Sequence, residues 1–196
     1  MAQFKPAFDK TLIAEGRWSD QIDDPGGETM NGVSRVFFPS WSGWAFVDSI
    51  KVDGAPQFDK LTPAQKTSLD TAVEEFYRKN FWNRIQGDRI PDSLQAIAEE
   101  LFDTAVNMGV NVSIIFLQEA LNALNRNWEL YQDIIVDGIM GGGTLNALKV
   151  FDNNKREMAF LLKITNILQG HRYLAITQKN PIQKKFIRGW IERVGL

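Results

Sequence analysis

Cysteine is absent from the 196 residues. Disulfides and thiolate metal sites are therefore excluded, and packing alone must hold the fold. Histidine occurs once, at His171, which argues against a zinc site and against a Ser-His catalytic pair. No metal or organic cofactor is implied. No apolar run approaches the length of a membrane-spanning helix, so membrane insertion is not expected. Charge of one sign is not concentrated anywhere. Twenty-two Lys and Arg are mixed with 24 Asp and Glu for a net charge of −2, and a nucleic-acid partner has no electrostatic footprint. The isoelectric point near 5.5 gives no general attraction to an anionic surface. The N-terminal "MAQFKPAFDKTLIAEG" lacks a basic segment followed by an apolar one, so the expectation is a protein made in the cytoplasm without a signal peptide. The "GGGT" at 141–144 is followed by no lysine and is not a phosphate loop.

What is present is a chain 44% apolar, enough to bury a sizeable core. Phe4, Phe8 and Leu12 recur every fourth residue with Ile13 beside them, which predicts a helix over 5–15 that stops at Gly16. Residues 16–34 are turn-rich, and Asn31-Gly32 predicts a tight hairpin. Residues 36–58 are aromatic and irregular, with room for a short helix. Helices account for the rest. Thr62-Pro63-Ala64-Gln65 is a capping signal for a helix to about Asn80 that buries Leu69, Val73, Phe76 and Tyr77. Pro91 opens the next, with Leu94, Ile97, Ala98, Leu101, Phe102 and Ala105 on one stripe. Ile114, Leu117, Leu121 and Leu124 mark another. Thr144 is expected to cap a short helix, a long one follows from Lys155 to about Thr177, and Asn180-Pro181 opens the last. The predicted class is mainly α: an N-terminal helix, a small β-hairpin region, then a helical bundle.

The chemistry concentrates near Glu15, in the last turn of the first predicted helix. The negative end of the helix dipole disfavours a carboxylate there, and apolar neighbours such as Ile13 and Trp18 exclude water. Both effects raise a carboxyl pKa. A carboxylic acid kept protonated near neutral pH is what general-acid cleavage of a glycosidic bond needs. The partner carboxyl must be ionised. Asp20, Asp23 and Asp24 lie in the following loop, and Asp24, just before Pro25-Gly26-Gly27, is the most rigidly placed. Thr29 could orient a water. By spacing alone, the same acids also fit an ordinary solvated surface.

The run Glu15-Gly16-Arg17-Trp18, then Asp23-Asp24-Pro25-Gly26-Gly27-Glu28-Thr29, then Gly32-Val33-Ser34, resembles the N-terminal signature of glycoside hydrolase family 108. These are N-acetylmuramidases with a lysozyme-like α+β fold, found in phage endolysins and bacterial secretion-activator proteins. Arg17 stands where a second glycine is usual, and Trp18 keeps the usual ring. The resemblance implies that Glu15 is the catalytic acid. The order Glu, eight residues, Asp, four residues, Thr is similar to the triad of phage T4-type lysozymes, where the last gap is one residue longer. That likeness implies catalytic roles for Asp24 and Thr29.

The second half, with Asp103, Val106-Asn107, Gly109, Leu117-Gln118, Leu121, Asp137-Gly138, Gly141, Thr144 and Ala147-Leu148, resembles the predicted peptidoglycan-binding domain that usually follows this catalytic segment. The implied organisation is a catalytic region over 1–93 and a helical binding region over 94–196, packed together in a monomer. Leu117, Leu121, Ala147 and Leu148 are more simply core, and Asp137-Gly138 more simply a turn.

Bacterial peptidoglycan is the implied partner. The implied reaction is hydrolysis of the β-1,4 bond between N-acetylmuramic acid and N-acetylglucosamine. Trp18, Trp41 and Trp44 are the candidates to stack on sugar, while Trp82, Trp128 and Trp190 are expected in the core. Asn107 either hydrogen-bonds a sugar N-acetyl group or caps its helix. The expected setting is a phage-type endolysin that reaches the periplasm and wall through a holin. A lytic transglycosylase acting on the same bond, and a non-catalytic wall-binding or release-accessory protein, are the alternatives.

Overall fold

A computed structural model of the chain describes residues 1–12, 18–20 and 27–195. The expected helix end at Glu15 and Gly16, together with Arg17, Asp23, Asp24, Pro25 and Gly26, lies outside the described residues. The fold is mainly α with a small β region. It divides into two compact units, one of Phe8–Asn80 and one of Met1–Ala7 with Phe81–Leu196. Helix α1, Phe4–Leu12, contributes residues to both.

In the unit Phe8–Asn80, strands β1 (Trp18–Ser19), β2 (Thr29–Met30) and β3 (Val33–Ser34) form an antiparallel sheet in that order. Trp18 pairs with Met30, and Thr29 with Ser34. The β2–β3 turn is Asn31-Gly32, with φ of 45° and 77°. These are the two positive φ values of a type I′ hairpin, and the pair bears out the expected tight turn. Helix α2, Gly43–Ser49, follows. A second hairpin, β4 (Lys51–Val52) and β5 (Ala55–Pro56), turns through Asp53 and Gly54 at φ 51° and 84°.

Helix α3, Pro63–Tyr77, begins with the expected capping box. The Gln65 amide donates to Thr62 Oγ1 at 3.3 Å, and the Thr62 amide to Gln65 Oε1 at 2.9 Å. Two otherwise unpaired backbone amides are satisfied reciprocally. The helix buries Leu69, Val73, Phe76 and Tyr77. Each such side chain contributes roughly 1.5–3 kcal/mol of burial. The Tyr77 hydroxyl donates to the Asn31 carbonyl at 2.7 Å, tying α3 to the turn of the sheet. Met30, Val33, Trp44 and Val47 complete this core.

The other unit is built on Trp82, which is fully buried and donates its ring N–H to Asp88 Oδ1 at 2.8 Å. Phe4 packs on Trp82 and Phe102 with ring centroids 5.7 Å apart in each case. Helices α4 (Gln95–Met108), α5 (Val110–Ala123) and α7 (Lys155–Lys179) pack on one another, with α6 (Gly142–Lys149) beside α5 and α8 (Ile187–Glu192) beside α7. Gly109 at φ 94° separates α4 from α5. The predicted stripe Leu94, Ile97, Ala98, Leu101, Phe102 and Ala105 is buried, as are Leu117, Leu121, Ala147 and Leu148. Among the described residues no helix is long and apolar enough to cross a membrane.

Three local expectations are corrected. Trp190, expected in the core, is half-buried on α8, where the short helix lies on the surface of α7 and buries none of its residues fully. Thr144 does not cap α6. The helix starts at Gly142 with Gly141 as its N-cap, and Thr144 is buried inside it, its hydroxyl accepting from Gln118 Nε2 at 3.2 Å. Trp128 is neither helical nor core. It sits in a turn at φ 69° and is 59% exposed, because Arg126, Asn127 and Trp128 all take left-handed backbone conformations directly after α5.

Candidate functional site

The described part of the acidic signature sits on the β1–β2–β3 sheet. Gly27 enters β2 at φ 59°, and a Cβ there would lie 2.9 Å from Val36 Cγ2. The chain thus needs glycine on two counts, conformation and space. Gly27→Ala is expected to lower the stability of this unit by roughly 1–2 kcal/mol. A chemical denaturation curve that superimposes on the wild-type curve would contradict this.

Thr29 is half-buried in the central strand, and its hydroxyl donates to the Gly27 carbonyl at 3.1 Å. Trp18 is half-buried, and its ring N–H donates to Glu28 Oε1 at 2.9 Å. Asp20 is exposed.

Glu28 anchors a charge network that the sequence reading did not single out. Its side chain is 9% exposed, with Arg35 Nε 2.7 Å from Oε2. Lys51 Nζ donates to Oε2 at 2.9 Å. Arg35 also reaches Asp48 through a two-pronged pair, Nη1 to Oδ2 at 3.1 Å and Nη2 to Oδ1 at 2.6 Å. The planar guanidinium suits this fork. Burial acts to raise the Glu28 carboxyl, but hydrogen bonds from Lys51 and Trp18 and the charges of Arg35 and Lys51 outweigh it, so Glu28 is held below the usual carboxylate range. Asp48 is lowered as well, first by its hydrogen bond from Arg35.

Both folded values lie below the ordinary 4.5 and 3.8. The stability these groups contribute is therefore fully present above those ordinary values and is lost as pH falls through the lowered ones. The unfolding temperature is expected to hold between neutrality and about pH 5 and to fall below about pH 4. Glu28→Gln should start lower at neutral pH and fall less on acidification. A thermal melt series across pH with parallel curves for the two proteins would exclude Glu28 as a source of the acid sensitivity.

The two other candidate tryptophans differ from each other. Trp44 is 3% exposed, donates to the Phe38 carbonyl at 2.8 Å, and carries the Arg35 guanidinium over its ring at 4.2 Å. It is therefore in the core, with the charge network resting on it. Trp41 is half-buried, meets Trp44 edge-on at 5.1 Å between centroids, and donates to the Ala72 carbonyl at 3.2 Å. It also lines an open cavity of about 380 Å³ with Phe38, Phe76, Glu75, Lys79 and Asn80. An aromatic wall beside amide, amine and carboxylate groups can hold a sugar by ring contact and hydrogen bonds.

Asn107 belongs to the other unit. It is exposed near the end of α4, and its Nδ2 donates to the Asp103 carbonyl at 2.9 Å, one turn back. The structure thus brings Trp18, Thr29 and Glu28 together on one small sheet and places Trp41 at a cavity in the same unit. Glu15 and Asp24 lie outside the described residues. Among the described residues no three His, Asp or Glu side chains form a group that could hold a metal ion.

The family model described as Glycosyl hydrolase 108 matches residues 8–109, and that described as Predicted Peptidoglycan domain matches residues 112–195. No curated protein matches the chain. Among solved structures, that of Brucella abortus SagA is similar at 22% identity with a TM-score of 0.60, covering 97% of this chain and 88% of its own. That likeness speaks to the fold over almost the whole length.

Proposed function

The chain belongs to the glycosyl hydrolase 108 family and is a peptidoglycan hydrolase of the lysozyme-like kind, and from that premise we propose that it is an N-acetylmuramidase with Glu15 as general acid. The bond is the β-1,4 link from N-acetylmuramic acid to N-acetylglucosamine. Glu15 gives its proton to the leaving glycosidic oxygen. Asp24, ionised, activates water or stabilises the oxocarbenium-like charge as the bond breaks, and Thr29 helps to orient the water.

The observation that carries this reading is the family match over residues 8–109, which contains the whole Glu15-to-Thr29 signature. The state of Glu28 supports the division of labour. Glu28 is the signature glutamate whose surroundings are described, and Lys51, Arg35 and Trp18 hold it ionised. A carboxyl stabilised as its anion is a poor proton donor at neutral pH, so the acid must be sought elsewhere in the signature. Glu28 then serves as the ionic clasp of the sheet that carries Thr29.

The Trp41 cavity lies in the same unit as the sheet and offers a ring face for a sugar residue, and Trp18, paired with Met30 in that sheet, is a second ring. In an endolysin-type setting, the enzyme meets the wall after release from the host cytoplasm.

Digestion of purified sacculi, followed by mass spectrometry of the fragments, tests the reading. The expected products carry N-acetylmuramic acid at a reducing end that has gained one water. Fragments ending in N-acetylglucosamine, or in a 1,6-anhydro sugar, would overturn the bond or the reaction assigned here.

A further inference from the structure

The near-balanced net charge averages over an uneven chain. Residues 155–196 carry nine Lys and Arg against two Asp and Glu, a balance of +7, so residues 1–154 stand at −9 within the total of −2. The expectation of charge mixed throughout is corrected at this end of the chain. The basic part comprises α7, a 3₁₀ segment Pro181–Phe186 and α8, the last two packed on α7.

Helix α7 has an inner and an outer face. Leu161, Thr165, Gln169 and Tyr173 lie on the inner one and are buried. On the outer one, Phe160, Ile167 and Leu174 recur at seven-residue spacing and are 42%, 50% and 50% exposed. Two turns separate each from the next, so the three side chains form a ridge about 21 Å long. Arg156 and Lys163 flank it, and the Arg156 guanidinium lies 5.7 Å from the Phe160 ring centroid. The one acid of the helix, Glu157, is turned aside to Arg126 at 2.8 Å. The segment beside α7 repeats the composition. Ile182, Phe186 and Ile191 are exposed among Lys184, Lys185 and Arg188, and Lys185 Nζ lies 4.7 Å from the Phe186 ring centroid. Lys163, Lys184, Lys185 and Arg188 form no ion pair among the described residues.

Apolar side chains gathered in a row on a protein surface mark an interaction site. The charge around this row decides the partner. A second copy of the chain would set one basic ridge against another, like charge on like, with no acid on the face to offset it. A polyanion without apolar surface, such as a nucleic acid or an anionic wall polymer, would leave Phe160, Ile167 and Leu174 in water. An anionic lipid bilayer offers both partners, acidic headgroups for the cations and acyl chains for the ridge. We propose that the outer face of α7 docks flat on an anionic bilayer surface. The ridge enters the upper acyl layer, and Arg156 and Lys163 extend from its flanks to the lipid phosphates. Lys184, Lys185 and Arg188 stand on elements packed against α7. Packed helices lie about 8–10 Å apart, comparable with the screening length of about 8 Å at physiological salt, so these charges add to the attraction. The helix lies on the membrane and does not cross it. Docking of this kind would hold a wall hydrolase at the membrane side of its substrate, whichever bond it cuts.

The test is flotation of the full chain with vesicles of phosphatidylcholine alone and of phosphatidylcholine mixed with phosphatidylglycerol. The mixed vesicles are expected to bind the protein at least about tenfold more tightly than the neutral ones, and added salt should weaken that binding. Ile167→Asp combined with Leu174→Asp changes only exposed positions. Its unfolding temperature should hold while binding to the mixed vesicles falls at least about tenfold. Lys163→Glu combined with Lys184→Glu and Lys185→Glu should lose the preference for anionic lipid. Purified sacculi carry no bilayer, so both variants should digest them at the wild-type rate. Glu15→Gln should bind vesicles as the wild type does, so a failure of the catalytic assignment leaves this result readable. No binding to the mixed vesicles, equal binding to both kinds, or wild-type binding by the double aspartate variant would overturn the proposal. So would a dimer in sedimentation that the two aspartates dissociate, or a loss of sacculus digestion with them, which would assign the ridge to a second copy or to the wall.

Discussion

Glu15→Gln is expected to reduce the release of reducing ends from purified sacculi by about a thousandfold, the middle of the range that a positioned general acid supplies. Glutamine keeps the size and one carbonyl oxygen of the side chain, so binding of the glycan should change little. What it lacks is an acidic proton. The leaving sugar would have to depart as an alkoxide or draw a proton from water, and a thousandfold loss corresponds to about 4 kcal/mol of lost transition-state stabilisation. The loss should fall on kcat with KM nearly constant. Asp24→Asn should lose less, roughly ten- to a hundredfold, because a neighbouring dipole still polarises water when the charge is gone. Glu28→Gln separates the two kinds of carboxyl. Its effect should appear in stability and acid sensitivity, since Lys51 and Arg35 lose the more buried of the two carboxylates they share and keep only Asp48. If Glu15→Gln clears sacculi at the wild-type rate while its fold is intact, the assignment of the acid is wrong.

Local signals were legible wherever a few adjacent residues decide the backbone. Thr62-Pro63-Ala64-Gln65 carries its own capping box, and α3 begins there. Asn31-Gly32 supplies both positive φ values of its turn. The stripes of α4 and α5 follow from a period that burial enforces. The second hairpin was missed although Asp53-Gly54 is as strong a turn signal as Asn31-Gly32. Its strands are two residues long, too short to show alternation. Thr144 was misread because a cap threonine and a helix-interior threonine look alike in sequence. What distinguishes them is Gln118, 26 residues away, which draws the hydroxyl inward. Trp128 was misread because its place after the α5 stripe suggested a continuing helix, whereas the left-handed backbone from Arg126 turns it to solvent. In the candidate site, the order of Glu15, Asp24 and Thr29 could be read by resemblance. The Glu28–Arg35–Asp48–Lys51 network could not, because its members have no period and meet only through the fold.

The same dependence on distant partners gives the largest stability effect expected of an uncharged side chain here. Gln118 is 1% exposed on α5, and both ends of its amide are used. Nε2 donates to Asp137 Oδ1 at 2.9 Å, to the Ile139 carbonyl at 3.1 Å and to Thr144 Oγ1 at 3.2 Å. Oε1 accepts from the amides of Asp137 at 3.1 Å and Gly138 at 2.9 Å. One side chain thereby holds the 137–139 turn and the start of α6 against α5. Gly138 takes φ 72° in that turn, and a Cβ there would lie 3.0 Å from the Asn111 carbonyl oxygen, so the turn has little room to move aside. Gln118→Leu fills nearly the same volume but satisfies none of these groups. A buried amide at Gly138 and a buried hydroxyl at Thr144 would be left unpaired, each costing about 1–3 kcal/mol. With partial relaxation of the exposed Asp137 and Ile139, a total of roughly 3–5 kcal/mol is expected, or a fall of about 10 °C in unfolding temperature. Gln118→Glu should be intermediate, because its carboxylate still accepts from the two amides but repels Asp137 and gives up the three donated bonds. Calorimetric melting of the three proteins checks the order. A Leu variant as stable as the wild type would mean that the turn is held by packing and not by the amide.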